Sequence, residues 1–240
     1  MKQARNLAFM RIGEKPEIAR LPLFHNMAEE QRDLVLTRSY LQVFPPQLTL
    51  FEAGHRADFL HVLVDGLVEL FVEGAGRDIT MRIVEPVSSY ILAAAVTDMP
   101  YLMSARTLTS SRILLVPASE MREAVRQDAA LMQATMHELA LGYRDLVRAL
   151  TDMKLRQSAE RLGNYLLEYS NRLGGVPEFE LNGEKRLLAS LLGMTPENLS
   201  RAFGTLRNHG VALKGPSILI EDREKLARYA RPDPVPSDRG

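Results

Sequence analysis

The 240-residue chain contains no cysteine. That absence excludes disulfides, thiolate zinc sites, cysteine-ligated iron–sulfur clusters, a cysteine nucleophile and any thiol redox switch. Net charge is absent as well: 30 Lys and Arg balance 30 Asp and Glu. No global positive field advertises nucleic acid, so any such role must be local. No window approaches the ~18 consecutive apolar residues of a membrane span, and the opening MKQARNLAFMRIGEKPEIAR lacks the uninterrupted apolar core of a signal peptide. The expectation is a soluble, cytoplasmic protein with no membrane partner. Missing too are a P-loop, a Gly-x-Ser-x-Gly elbow, a His-Glu-x-x-His pair and a glycine-rich dinucleotide fingerprint. The chain does not read as an enzyme.

What is present changes texture along the chain. From residue 41 to 117, short runs rich in Val, Ile, Leu and Phe (LTLFEAG, FLHVLVDG, LVELFVEGAG, ITMRIV, RILLVP) are separated by Gly, Pro and Asp. They predict short antiparallel strands closed into a small barrel or roll. After Pro117 no proline occurs until Pro177, and apolar residues fall at Met132, Met136, Leu139, Tyr143, Leu146, Leu150 and Met153. The intervals alternate four and three over three heptads, as in the seam of a helix paired with its own copy. A long helix packed on its own domain also repeats apolar residues every three or four positions. Arg144, Asp145 and Arg148 lie off the seam, however, and its spacing is strict, so we expect a homodimer interface. Gly142, beside Tyr143, marks a point of close approach or a kink. A second helix, LRQSAERLGNYLLEYSNRLGG, puts Ala159, Leu162, Leu166 and Tyr169 on one face and ends at Gly174.

The most informative stretch is TPENLSRAFGTLRNHG, residues 195 to 210. Thr195 is a good N-cap, Pro196 suits the first helical position and Gly210 is placed to end the helix. Leu199, Ala202, Phe203 and Leu206 form one core-facing stripe, which turns Glu197, Ser200, Arg201, Gly204 and Arg207 outward. Upstream, EKRLLASLLGM forms a short helix and Gly193 a tight turn; downstream, VALKGPSILI reads as a hairpin with Lys214 at its tip. Helix, short turn, helix and hairpin is the layout of a winged helix-turn-helix, which sets its second helix in a major groove and touches phosphate with the wing. Arg can then donate two hydrogen bonds to guanine, Glu accept from cytosine, and Ser bond to bases or phosphate. As an ordinary surface helix, the same residues would be a solvated face with a stabilising Glu197–Arg201 pair. From Arg156 to Arg231 there are 12 basic and 9 acidic residues, a modest local surplus that a dimer doubles.

A roll, a long self-pairing helix and a winged helix-turn-helix, in that order, resemble the CRP/FNR family of dimeric bacterial transcription regulators over residues 20 to 231. FEAGHRADFLHVLVDGLVELF, with Gly54 and Gly66 at turns, looks like the family's strand-Gly-strand pattern, and SARTLTSSRILLVP like the strand leading into its hinge. The Glu-x-x-Ser-Arg motif of the FNR-type recognition helix matches Glu197, Ser200 and Arg201. The resemblance implies an α+β fold: an N-terminal antiparallel β-roll like a cyclic-nucleotide-binding domain, a dimerisation helix and a C-terminal winged helix-turn-helix. It further implies double-stranded DNA with TTGAT-like palindromic half-sites, a second copy of the chain and RNA polymerase as partners. The expected boundaries are an extension over 1–20, the roll over 21–118, the dimerisation helix over 119–155, the DNA-binding domain over 156–231 and a disordered Pro-rich tail over 232–240. DNA contacts are assigned to Thr195, Glu197, Ser200, Arg201, Arg207 and Lys214.

The sensor departs from the family pattern. Ser88, Ser89 and Tyr90 stand near the Gly-Glu pair that holds the ribose in cyclic-nucleotide binders, and Met103 precedes Ser104 where the phosphate-binding Arg is expected. An apolar side chain does not balance a phosphate, so cAMP control is the lesser alternative, open only through Arg106, which otherwise reads as a solvent-facing strand residue. Tyr90, Tyr101, Met103, Ser104 and Arg106 are the candidate effector pocket. Haem-dependent gas sensors also occur in the family, which makes haem the candidate cofactor and His25 and His61 its candidate ligands; an iron–sulfur cluster is excluded. A module that keeps the fold but has lost DNA binding is the rival from another class.

Overall fold

The computed structural model describes residues 18, 21, 23–74, 76–181 and 185–232. Apart from Ile18, the extension expected over 1–20 lies outside them, as does the expected tail from residue 233. The chain divides into two units, residues 1–140 and 141–240.

In the first unit, α1 (Glu29–Thr37) precedes β1 (Tyr40–Phe44), β2 (Thr49–Phe51), β3 (Phe59–Asp65), β4 (Val68–Gly74), β5 (Arg77–Val84) and β6 (Ser88–Tyr90); α2 (Leu92–Thr97) then leads to β7 (Ser104–Thr107) and β8 (Ser111–Pro117). The strands form two antiparallel sheets, ordered β1-β8-β3-β6 and β2-β7-β4-β5. Phe51, Leu63, Val68, Leu70, Val84, Tyr90, Ala105 and Ile113 from both sheets share one core, so the expected roll is present. Along β3 the alternation of side chains sends Leu63 into that core, while Leu60, Val62 and Val64 join a second cluster under Val35, Leu36, Leu92 and Ala95 of the helices. Burial on both faces explains why FLHVLVD reads as an almost unbroken apolar run.

Gly66 makes the turn from β3 to β4 at φ +96°, and a Cβ there would lie 2.6 Å from the Ser110 carbonyl oxygen and 2.4 Å from Ser111 Oγ. Gly66→Ala therefore combines a left-handed backbone with a clash against backbone. It is expected to destabilise the roll by about 2 kcal/mol or more, seen as a lower urea midpoint with an unchanged slope. A midpoint equal to the parent's would show that the turn relaxes at no cost.

After β8 come α3 (Ala118–Gln127) and α4 (Ala129–Leu155). The single helix expected over 119–155 is thus two, broken at Asp128, whose backbone is extended. The Asp128 carboxylate accepts from the N–H groups of Leu131 and Ala28, each at 2.9 Å, capping α4 and fastening the residue before α1. Four residues of helix start cannot all find carbonyls, and an Asp at this point supplies one acceptor. α4 passes through Gly142 without interruption.

The second unit carries α5 (Ser158–Arg172), β9 (Glu178–Glu180), α6 (Lys185–Leu191), α7 (Pro196–Arg207), β10 (Val211–Lys214), β11 (Ser217–Ile220) and α8 (Arg223–Ala230). Its strands form the sheet β10-β11-β9. Leu162, Leu166, Leu188, Leu199, Phe203, Leu206 and Leu226 make its core. α8, capped by Asp222 accepting from the Lys225 N–H at 2.8 Å, was not foreseen in the sequence. Among the described residues no helix is long and apolar enough to cross a membrane.

Candidate nucleic-acid interface

α7 is built as its sequence demands. Thr195 Oγ1 accepts from the Asn198 N–H at 3.3 Å, and Pro196 occupies the first turn, where its missing N–H costs nothing. Leu199, Ala202, Phe203 and Leu206 are buried, whereas Glu197, Ser200, Arg201, Gly204 and Arg207 are exposed. The turn before α7 is made by Gly193 at φ +63°. The helix stops at Arg207 rather than at Gly210, because the N–H groups of Asn208 and His209 close on the Thr205 and Leu206 carbonyls. Ser200 Oγ donates to the Pro196 carbonyl at 3.1 Å, which leaves its lone pairs facing outward as acceptors. Lys214 ends β10 at the tip of the wing, exposed and 3.8 Å from Glu178. The structure therefore brings Thr195, Glu197, Ser200 and Arg201 together along the first two turns of one helix, with Arg207 farther along it and Lys214 on the adjoining hairpin.

α4 presents two faces. Leu131 and Thr135 are buried and Leu139 packs half-buried against the cluster beneath the helices of the first unit. Leu139 is thereby withdrawn from the expected free seam. The others stay open to solvent: Met132, Met136 at 65%, Tyr143 at 69%, Leu146 at 62%, Leu150 at 51% and Met153 at 62% exposure. A row of large apolar side chains left open to solvent among the described residues is the mark of an interaction surface.

The candidate effector residues do not converge. Tyr90 and Tyr101 are buried in the roll core with Phe51 and His61, and Met103 packs against it. Phe51 stacks on Tyr101 at 4.0 Å between ring centroids. Because Ala105 faces that core, its neighbours Ser104 and Arg106 face away from it. Ser104 Oγ accepts from the Ala53 N–H at 3.0 Å. Arg106, read from sequence as solvent-facing, donates from Nε to Glu69 at 2.6 Å and from Nη1 to Asp78 at 2.8 Å, with its guanidinium 4.4 Å from the Phe71 ring centroid. Thr80 Oγ1 donates to the other oxygen of Glu69 at 2.6 Å. Sequence reasoning missed Glu69 and Asp78, since only strand register sets Glu69 opposite Arg106.

The histidines do not suit haem. His25 is exposed ahead of α1, while the ring of His61 has Phe51, Tyr90 and Tyr101 at 4.8, 5.4 and 6.3 Å between centroids. Those rings take up the space that a macrocycle would need. Burial pulls the pKa of His61 down to about 3, against a weaker opposing hydrogen bond to the Phe59 backbone, and its Nδ1 has no hydrogen-bond partner among the described residues. No group of three His, Asp or Glu able to hold a metal occurs among those residues either.

Comparison with known proteins agrees with this anatomy. Residues 41–128 match the family model "Cyclic nucleotide-binding domain" and residues 160–229 the model "Crp-like helix-turn-helix domain". The "CRP-like cAMP-activated global transcriptional regulator" of Mycobacterium tuberculosis is 25% identical over 221 residues, covering 89% of this chain and 98% of its own. The "Fumarate and nitrate reduction regulatory protein" of Escherichia coli is 26% identical over 196 residues, with 76% of this chain and 75% of its own covered. A solved structure of a regulatory protein from Silicibacter pomeroyi is 28% identical, covers 90% of this chain and 99% of its own, and superposes with a TM-score of 0.58. With both family models matched in the order found here, the chain belongs to the CRP/FNR family of transcription regulators, with a cyclic-nucleotide-binding-type roll and a DNA-binding helix-turn-helix.

Proposed function

We propose that the protein acts as a homodimer that reads a palindrome of TTGAT-like half-sites and transmits to it, and to RNA polymerase, a signal taken up by the roll. The observation that carries this reading is the exposed edge of α7, where Glu197, Ser200 and Arg201 stand in the first two turns above a buried apolar stripe. Two such helices about 34 Å apart would enter successive major grooves of a duplex. The exposed seam on α4 supports pairing with a second copy. The effector acts by a population shift, binding one arrangement of the dimer more tightly than the other.

The reading departs from the cAMP activation named for the Mycobacterium tuberculosis relative. Met103 stands where the family's phosphate-binding Arg is expected, and Arg106 is engaged by two carboxylates on the opposite face from the roll core. An effector without a phosphate charge fits this interior better.

The test is Arg201→Ala with duplexes carrying TTGAT-like half-sites. Loss of about 1–3 kcal/mol of binding, together with loss of preference at the guanine, is expected of a bidentate base contact. Unchanged binding and preference would favour a protein-interaction module without DNA reading.

A further inference from the structure

The N-terminal half of α7 holds a relay of contacts beyond the residues of the Glu-x-x-Ser-Arg motif. Thr195 Oγ1 accepts from the backbone N–H of Asn198, and Asn198 Oδ1 accepts in turn from Nη2 of Arg201. Each step spans three residues, the spacing at which helix side chains are neighbours. Resting on the DNA-reading assignment above, we infer that Asn198 is a positioning residue for Arg201, its carboxamide holding the guanidinium at the exposed edge of α7 before DNA arrives.

The donor count allows this. Arg carries five N–H groups in a planar fork, of which Asn198 takes one. The remaining proton on Nη2 and those on Nη1 and Nε still offer two parallel donors to O6 and N7 of guanine. An unrestrained Arg loses much rotamer freedom when it binds, and a guanidinium already held in place loses less. A neutral carboxamide accepts the hydrogen bond without setting a negative charge against the phosphates, as Asp at the same position would. The backbone of Asn198 is fixed by the Thr195 cap, so its carboxamide oxygen starts from a set position.

The measurement is the ratio of affinities for a duplex with TTGAT half-sites and one with its guanine·cytosine pairs changed to adenine·thymine, for the parent, Asn198→Ala, Arg201→Ala and the double variant. Asn198→Ala is expected to reduce the ratio by about 2- to 10-fold, the worth of one hydrogen bond, with its thermal midpoint unchanged. In the Arg201→Ala background it should change the ratio no further, because its effect passes through that side chain. A parental ratio in Asn198→Ala, or an equal loss with and without Arg201, would overturn the assignment. If the parent shows no preference, or Arg201→Ala leaves it intact, the DNA reading itself falls and the role of Asn198 with it.

Discussion

Replacing Leu146 and Leu150 by Lys is expected to turn a dimer into a monomer and to weaken binding to a palindrome by about 10²- to 10⁴-fold. Both side chains lie exposed on α4, four residues or about one helical turn apart. Burying one large apolar side chain against a partner contributes roughly 1.5–3 kcal/mol, and the seam offers several. Two ammonium groups facing their counterparts would reverse that gain by repulsion and desolvation. The palindrome effect follows from linkage: once one half-site is held, the second binds at an effective concentration in the millimolar range, and a monomer forfeits this. Lys is the informative replacement because it adds charge of the sign that DNA attracts, so weaker binding is not explained by lost electrostatics. Light scattering gives the mass, and a titration with whole and half palindromes gives the affinities. A double variant that remains dimeric, or a parent that is monomeric, would refute the seam.

Acid should destabilise the roll through His61. Its pKa falls from 6.5 to about 3 on folding because burial disfavours the imidazolium. Between those values the unfolded chain binds a proton that the folded roll refuses, so stability rises with pH there and is lost as pH falls. The stability is fully present above 6.5 and declines by about 1.4 kcal/mol per pH unit below it, to a total on the order of 5 kcal/mol near pH 3. Tyr90 and Tyr101, the titratable rings beside it, have pKa values raised by burial, Tyr101 to about 12, and stay neutral throughout. Carboxylates elsewhere add their own acid dependence, so the difference from His61→Leu isolates this term. Urea unfolding of parent and variant at about pH 7, 5.5 and 4.5 measures it. The parent should lose more stability than the variant at each step down; parallel curves would mean that His61 takes up its proton without unfolding.

These effects differ in how far they could be seen in the sequence. The seam on α4 and the outward edge of α7 are set by local periodicity, and Met136, Tyr143, Leu146, Glu197, Ser200 and Arg201 are exposed as the spacing implied. Strand positions were legible for the same reason, since turn residues interrupt apolar runs. Leu139 shows the limit of a period: it sits on the seam by count yet packs half-buried against its own unit. The break at Asp128 carried a readable signal, an Asp at a helix start, that the unbroken stretch without proline concealed. The engagement of Arg106 could not be read at all, because its partners Glu69 and Asp78 are 37 and 28 residues away and meet it only once β4, β5 and β7 are in register.

That network has a consequence for how the roll assembles. Val68 and Leu70 face the core, while Glu69 between them points away from it and is buried against Arg106 and Thr80. If β4 slipped by one residue against β7, every side chain on β4 would change face, sending the carboxylate of Glu69 into an interior lined by apolar residues and stripping Arg106 of its partner. A buried unpaired charge costs far more than a well-made ion pair returns. The Glu69–Arg106 pair thus acts as a proofreading mark between two strands distant in sequence, penalising the wrong alignment more than it strengthens the right one.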